Sequence, residues 1–334
     1  MKKLTLSLAI WPNARIRPLL DGAVEPEAVD LVISRLPPPD VFWRQLRFGE
    51  FDVSEMSLSS LLMATARGDR RWKALPVFPD RRFFHSYIMV RTGAGIDSPA
   101  DIRGKRVGVP DYQMTAALWS RGALQHEFGV SPPDLDWYME RSAAWSHAAA
   151  TGFEPPKGLR FRHMSADQTI AGMMIAGELD VALVYIPGLL GGTTMIDRSK
   201  ELLPADRAKP LFGDRETETA RYFSKMGFIP MNHCVVVKAD VLERNPWAAV
   251  NLYKAFLDAK EKARDQLWEA LRPARETGRL PAAAADAMQS DLFPYGVRAN
   301  EKALTTLATY SHEQGLTPRK VGLEEIFAET VMGM

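Results

Sequence analysis

The sequence predicts a two-lobed α/β protein in which each lobe contains a mixed, mostly parallel sheet with flanking helices. The chain of 334 residues is long enough to form two hydrophobic cores. Over its first two-thirds, short apolar runs alternate with amphipathic helical patterns, which is typical of parallel strands connected by helices. Breaks at residues 92–95 and 227–230 divide this pattern. We therefore expect a first lobe of residues 1–91 and 231–334, an inserted second lobe of residues 92–230, and a ligand cleft between them.

Each expected element follows from the local periodicity of apolar residues. Asn245 and Pro246 suit the N-cap and first turn of a long helix in the C-terminal third. The polar segment 192–227 is interpreted as an excursion or a lid over the cleft. Strands are expected at residues 4–10, 29–34, 51–54, 86–91, 106–109, 160–164, 181–185 and 235–238. Further helices are expected at residues 40–48, 57–68, 114–128, 166–176, 282–288, 300–312 and 323–331.

The near-zero net charge makes two classes of partner unexpected. With 42 basic and 41 acidic side chains the net charge is +1, so neither nucleic acid nor a membrane surface is an expected partner. Residues 4–10 alternate as a strand does and no cleavage motif follows them, so we expect a cytoplasmic protein. An exported protein without its leader is the alternative. The lone Cys234 is interpreted as a core residue rather than a catalytic thiol.

The most informative stretch for ligand binding is residues 107–115, where a strand runs through a turn into a helix. Free N–H groups at the start of that helix would bind an anion, with Tyr112, Gln113, Met114 and Thr115 around it. The alternative is an ordinary turn capped by Asp111. The sequence lacks the glycine-rich phosphate loops, the zinc-protease motif and the serine-hydrolase motif.

Polar residues follow two other segments of the first lobe. Glu55 and Ser57 lie at a strand end, where open α/β sheets bind ligands, although local helix capping explains such residues equally well. Arg82, Phe84 and His85 combine a carboxylate-binding group, an aromatic side chain and a proton carrier. Their alternative interpretation is a solvated arginine beside a structural histidine.

Two further positions adjoin the expected cleft. His233 lies where the chain returns to the first lobe, and it is either a site residue or a hydrogen-bonded structural histidine. Trp11 and Asn13 follow the first strand, where Trp11 would wall an aromatic ligand or pack at the lobe edge.

The sequence resembles the 4,5-dihydroxyphthalate decarboxylase family over nearly its whole length. The matching blocks are residues 50–59, residues 76–79 with Arg82, His85 and Ser86, a long central block at residues 101–130, residues 177–182, and Asn232 with His233. The resemblance implies a fold like that of type II periplasmic binding proteins, a role in the degradation of phthalates and other aromatic compounds, and a small aromatic carboxylate as partner. One departure is Phe84, where the family commonly has an arginine.

The resemblance also implies a non-oxidative decarboxylation that yields protocatechuate and CO₂ from 4,5-dihydroxyphthalate, and residue type and strand-end position suggest the roles within it. His85 or His233 would protonate the ring, and Glu55 would accept a hydrogen bond from a ring hydroxyl. No metal and no cofactor is expected, the alternative being a cation bound by Glu55, His85 and His233. A non-catalytic solute-binding protein is the competing function, and a homo-oligomer is compatible with the sequence. Substrate contacts are expected from Trp11, Asn13, Ser57, Arg82, Phe84, Tyr112, Gln113, Met114 and Thr115.

Overall fold

A computed structural model describes residues 3–184, 194, 196–199 and 202–334 of the protein. The strands in this part of the chain are β1 (Leu4–Ile10), β2 (Val29–Arg35), β3 (Val53–Ser57), β4 (Trp72–Leu75), β5 (Met89–Arg91), β6 (Arg106–Val109), β7 (Asp136–Met139), β8 (Arg160–His163), β9 (Val181–Ala182), β10 (Ala208–Pro210) and β11 (His233–Lys238).

The α-helices of the described residues connect and cover these strands. They are α1 (Arg17–Leu20), α2 (Pro38–Phe48), α3 (Leu58–Ala66), α4 (Thr115–Phe128), α5 (Ala148–Thr151), α6 (Ile170–Ala176), α7 (Arg215–Met226), α8 (Ala239–Arg244), α9 (Trp247–Ala270), α10 (Arg272–Glu276), α11 (Ala282–Gln289), α12 (Glu301–Glu313) and α13 (Leu323–Ile326). None of them combines the length and the apolar character that crossing a bilayer requires.

The strands form two separate mixed sheets, which confirms the predicted fold class. The first sheet has the order β2-β1-β3-β11-β4, and the second has the order β10-β5-β9-β6-β7-β8. In the first sheet β11 runs antiparallel to both β3 and β4, while β1 is parallel to β2 and β3. In the second sheet β9, β6, β7 and β8 are parallel neighbours. At its edge β5 pairs antiparallel with β9, and β10 pairs antiparallel with β5.

The chain passes from the first sheet to the second before Met89 and returns to the first sheet at β11. The sequence placed the boundary after Arg91, whereas Met89–Arg91 is β5 of the second sheet. A strand this short carries little periodicity, so its sequence does not indicate which sheet it joins.

Most of the predicted elements occur with boundaries close to those expected. The strands at residues 4–10 and 106–109 match β1 and β6 at both ends. The predicted strand 181–185 is β9 as far as Ala182, and Tyr185 lies outside the described residues. The described part of the expected lid, residues 192–227, contains β10 and α7. Sequence patterns did not indicate β4, β7 or β10.

One hydrophobic core contains residues from both sheets and from the C-terminal helices. Leu8, Val53 and Val235 of the first sheet belong to the same buried cluster as Val107 and Trp137 of the second sheet. Cys234 is fully buried in that cluster, as expected, and burial raises the pKa of its thiol. A smaller apolar cluster under α6 covers the other face of the second sheet.

Candidate active site

A cavity of about 390 Å³ is lined by strand residues of the first sheet and by residues that follow strands of both sheets. This volume lies in the range of small-molecule sites, roughly 300–1,000 Å³. Among the described residues its wall includes four arginines, three carboxylates and two histidines, set among aromatic, proline and aliphatic side chains. These polar residues are Arg15, Arg81, Arg82, Arg141, Glu55, Asp80, Asp197, His147 and His233.

One wall of the cavity holds a carboxylate–imidazole pair. His233 Nδ1 lies 2.6 Å from Glu55 Oε1, and the backbone N–H of Trp11 donates to Glu55 Oε2 over 3.1 Å. The Glu55 side chain is 2% exposed and that of His233 is 9% exposed. Because Nδ1 bonds the carboxylate, the ring orientation is fixed and Nε2 is the nitrogen left for a ligand.

The pairing of β3 with β11 explains why these two residues meet. Glu55 lies opposite Val235, and Ser57 lies opposite His233. Side chains alternate between the faces of a sheet, so Glu55, Ser57 and His233 all project from the same face. Glu55 and His233 are then a diagonal cross-strand pair, a separation that side chains of this length can bridge.

Two helix N-termini meet at the cavity. Ser57 precedes α3 and Thr115 begins α4, and their hydroxyl oxygens lie 2.9 Å apart. The N–H of Ser59 donates to Thr115 Oγ1 over 2.9 Å. The first N–H groups of a helix have no acceptor within that helix and carry partial positive charge. Since Met114, Thr115 and Ala116 line the cavity, the start of α4 can bind an anion there.

Arg82 supplies a cation next to this anion site. Its Nε donates to Asp80 Oδ1 over 3.0 Å, and Asn232 donates to Asp80 Oδ2 over 2.9 Å. Burial alone would raise the pKa of Asp80, but His233, Arg82 and Asn232 together hold it below its ordinary value. The terminal nitrogens of Arg82 have no hydrogen bond to a described residue, so they can bind a ligand carboxylate.

Arg81 cannot take the same role as its neighbour, although it also borders the cavity. Its Nη2 donates to the carbonyl of Pro294 over 2.5 Å and to Asn300 Oδ1 over 2.6 Å. Burial lowers the pKa of Arg81 to about 10. Its guanidinium thus ties the cavity wall to the C-terminal helices.

The opposite wall is built by the loop after β7. Arg141 is buried, donates to Asp197 Oδ1 over 2.6 Å and lies 3.6 Å from Asp111. Asp111 also accepts hydrogen bonds from the Ser146 hydroxyl and from the His147 backbone N–H, each at 3.1 Å. This network fixes the position of His147, whose side chain borders the cavity.

Three predicted site residues lie away from the cavity wall, and His85 is the most consequential. It belongs to a 3₁₀ turn at Phe84–Tyr87, in which successive side chains point about 120° apart. Phe84 lines the cavity, so His85 faces α7 instead, with Nε2 2.9 Å from Glu218 Oε1 and its ring 4.6 Å from that of Tyr222. The alternative of a cation bound jointly by Glu55, His85 and His233 is therefore not supported, because His85 faces away from the other two.

Tyr112 and Gln113 also point into the protein rather than toward the cavity. Tyr112 is fully buried beneath the Arg121 guanidinium, which lies 3.8 Å from its ring centroid. Gln113 Oε1 accepts a hydrogen bond from the Thr151 hydroxyl over 2.5 Å. The turn before α4 is therefore core, and the helix start itself reaches the cavity. The remaining predicted residues line the cavity: Trp11, Asn13, Glu55, Ser57, Arg82, Phe84, Met114, Thr115 and His233.

Sequence analysis missed Arg141, His147 and Asp80. Arg141 follows β7, a strand that was not predicted, and the rule that ligands bind at the carboxyl ends of strands would otherwise have indicated it. Asp80 lies two residues before Arg82, which was singled out. Within the described residues, no group of three or more His, Cys, Asp or Glu side chains is arranged to hold a metal ion.

Comparison with solved structures agrees with this architecture. The periplasmic aliphatic sulphonate binding protein SsuA from Escherichia coli superposes with a TM-score of 0.55 at 16% identity, covering 99% of both chains. The desulfurization enzyme DSZB superposes with a TM-score of 0.53 at 17% identity, covering 99% of this chain and 98% of that one. Residues 39–186 match a family model described as the periplasmic substrate-binding protein of a phosphonate ABC transporter.

The two sheets and the cavity between them define a protein with the type II periplasmic-binding-protein fold. The 4,5-dihydroxyphthalate decarboxylase of Comamonas testosteroni is 32% identical to this chain over 342 residues, covering 98% of this chain and 97% of the relative. The chain therefore belongs to the 4,5-dihydroxyphthalate decarboxylase family, which confirms the resemblance found in the sequence motifs.

Proposed function

We propose that the protein is a carboxy-lyase that removes CO₂ from a hydroxylated aromatic dicarboxylate, with 4,5-dihydroxyphthalate as substrate and protocatechuate as product. The observation that carries the proposal is the Glu55–His233 pair, a fixed proton carrier in the wall of a cavity that also offers an anion site. The family relationship supports the same reaction class. A cytoplasmic location is part of the proposal, and fractionation of the native cells tests it.

The chemistry requires protonation of the ring before CO₂ leaves, because direct loss of CO₂ would create an aryl anion. A proton adds to the carbon that bears the carboxylate, and the hydroxyl para to that carbon stabilises the resulting cation. The bond to the carboxylate then breaks, its electron pair restores the aromatic ring, and CO₂ departs. The proton stays on the ring, so each turnover consumes one proton.

His233 is the proposed donor of that proton through Nε2. Glu55 orients the imidazole through Nδ1 and stabilises its protonated form before transfer. Because Glu55 is almost fully buried and binds the His233 ring and the Trp11 N–H, we assign it as a positioning residue. Proton transfer by a positioned side chain typically contributes about 10²–10⁴-fold in rate.

The cavity provides separate places for the two carboxylates of such a substrate. The free N–H groups at the start of α4 suit one, and the terminal nitrogens of Arg82 suit the other. Trp11, Phe42 and Phe84 offer aromatic walls for the ring between them.

A direct experiment tests the proposed reaction. The purified protein is incubated with 4,5-dihydroxyphthalate in D₂O, and CO₂ and protocatechuate are quantified. We expect stoichiometric CO₂ and one deuterium at the ring carbon that lost its carboxylate. If the protein binds 4,5-dihydroxyphthalate but releases no CO₂, the proposed decarboxylase activity is wrong.

A solute-binding protein without catalysis is the second candidate, favoured by the likeness to periplasmic substrate-binding proteins. Both functions would use the same anion site. The two differ in a single result, since the binding protein returns 4,5-dihydroxyphthalate unchanged after prolonged incubation.

A further inference from the structure

Asp197 is a carboxylate of the cavity wall to which the proposed mechanism gives no role. Its side chain is 24% exposed, against 2% for that of Glu55. Arg141 Nε donates to Asp197 Oδ1 over 2.6 Å, and Asp197 Oδ2 has no hydrogen bond to a described residue. A carboxylate can accept several hydrogen bonds through its two oxygens, so Asp197 keeps acceptor capacity that a ligand can use.

The backbone that follows Asp197 is anchored beside Arg141. The N–H groups of Arg198 and Ser199 both donate to Glu140 Oε1 over 2.9 Å. Glu140 directly precedes Arg141 in the chain. The same turn therefore holds the arginine that bonds the Asp197 carboxylate and the backbone next to that carboxylate.

Arg141 also determines which ligand groups this wall can bind. Its side chain is 2% exposed and lies 3.6 Å from Asp111 as well as bonding Asp197. Burial alone would lower the pKa of Arg141, but the charges of Asp197 and Asp111 raise it. One buried cation shared by two carboxylates has no positive charge left for an anionic ligand group. This wall therefore suits a hydrogen-bond donor rather than a carboxylate.

We infer that Asp197 accepts a hydrogen bond from a ring hydroxyl of the ligand and thereby selects hydroxylated aromatic dicarboxylates over those with hydrogen or an anionic group at that position. The inference rests on the proposed function for the identity of the ligand. It gives Asp197 the acceptor role that the sequence suggested for Glu55. Because a carboxylate binds hydroxyl groups and repels anions, one residue accounts for both preferences.

The shape of the ligand agrees with this assignment. Each hydroxyl of 4,5-dihydroxyphthalate is para to a carboxylate, so its hydroxyls cannot bind where its carboxylates do. Arg82 follows β4 of the first sheet, whereas Asp197 is bonded to Arg141, which follows β7 of the second sheet. A hydroxyl that donates to a carboxylate carries more electron density on its oxygen, which it shares with the ring. The ring carbon para to that hydroxyl then becomes easier to protonate.

The experiment compares the dissociation constants of three ligands by calorimetry. They are 4,5-dihydroxyphthalate, phthalate, which lacks the hydroxyls, and benzene-1,2,4-tricarboxylate, which has a carboxylate in place of one hydroxyl. All proteins carry H233Q, so that no ligand is consumed. Asp197→Ala should lower the preference for 4,5-dihydroxyphthalate over phthalate by about tenfold, because a hydrogen bond to a charged acceptor is lost. It should tighten the binding of the tricarboxylate by about tenfold, because a like charge is removed and Arg141 loses a competing partner. Phthalate affinity should not fall.

Asp136→Ala is the matched control. Asp136 also pairs with an arginine, Arg160, and its side chain is 25% exposed, but it does not line the cavity. A substitution away from the ligand should change all three dissociation constants by less than about twofold.

Two results with Asp197→Ala would overturn the inference: an unchanged preference for 4,5-dihydroxyphthalate, or a proportional loss of affinity for all three ligands. If this variant fails to fold, Asp197→Asn decides instead. Asparagine keeps the shape and one acceptor oxygen but not the charge, so this variant should retain part of the preference for hydroxyls and bind the tricarboxylate more tightly. No gain in affinity for the tricarboxylate contradicts the inference. Failure of the proposed reaction is recognised separately, as absence of CO₂ from the wild-type protein.

Discussion

Replacing His233 by glutamine separates proton transfer from ligand binding. The amide of glutamine can still donate to Glu55 Oε1, so the wall of the cavity keeps its hydrogen bond, but an amide does not deliver protons at neutral pH. The expected loss in kcat is about 10²–10⁴-fold. This corresponds to about 3–5 kcal/mol of transition-state stabilisation.

The structural cost of this substitution should be small by comparison. The edge-to-face contact of His233 with Phe42, at 4.7 Å between centroids, is lost, and such contacts contribute about 0.5–1.5 kcal/mol. The variant should therefore fold and bind 4,5-dihydroxyphthalate with a dissociation constant within about threefold of the wild type, because neither Arg82 nor the start of α4 is touched.

His85→Gln is the matched control. His85 is buried and bonds a glutamate just as His233 does, with Nε2 2.9 Å from Glu218 Oε1, but it lies outside the cavity. H85Q should carry a similar cost in stability and keep kcat within about twofold. The assay is initial-rate CO₂ release together with calorimetric binding for all three proteins. Retention of more than a tenth of wild-type kcat in H233Q, or equal losses in both variants, would refute the role given to His233.

Three further substitutions test the site and the fold. Arg82→Gln should raise the dissociation constant of the dicarboxylate by about tenfold with a smaller change in kcat, measured by calorimetry and initial rates, since a charge-assisted hydrogen bond is lost. Gly122→Ala should lower the thermal midpoint by several degrees in a melting experiment, because a Cβ at 122 would lie 2.1 Å from the Tyr310 ring and overpacking costs about 1–3 kcal/mol. Burial alone would raise the pKa of Glu218, but hydrogen bonds from residues including Arg221 lower it from 4.5 to about 2. At pH values above its pKa in the unfolded state, the ionised Glu218 carboxylate stabilises the folded protein, and this stabilisation is lost as the pH falls. The free energies of unfolding of the wild type and Glu218→Gln, measured in unfolding experiments, should therefore converge between pH 5 and pH 2.

The sequence was most informative where a long periodic pattern ended in a polar turn. The first strand, Leu4–Ile10, and the helix Thr115–Phe128 have strong alternation or amphipathic spacing, and both were located closely. Short strands such as β7 and β10 carry too few residues for a period to be recognised, and their position depends on the neighbours with which they pair. The second sheet was therefore predicted less completely than the first.

In the candidate site too, local patterns located residues, whereas tertiary pairing determined which of them meet. Glu55 and His233 were both singled out, but their contact follows from the register of β3 against β11, which no local pattern contains. His85 has the flanking residues expected of a site histidine, yet a 3₁₀ turn rotates it away from the cavity. The direction of a side chain within an irregular turn depends on tertiary packing, so sequence reasoning could name the turn but not which of its residues faces the ligand.

Under the proposed function, ligand binding and proton transfer depend on different residues of the cavity. The proposed anion site needs only the start of α4, which the Ser57–Thr115 contact holds against α3, and a ligand with a carboxylate, sulphonate or phosphonate group could use it. Catalysis needs one addition, a proton carrier held at the ring, and the Glu55–His233 pair occupies the strand pair next to that site. If this division is correct, H233Q should behave as a solute-binding protein, with nearly unchanged affinity and little turnover. A variant that loses affinity and turnover in proportion would show that His233 belongs to the anion site itself and that the two functions cannot be separated at this position.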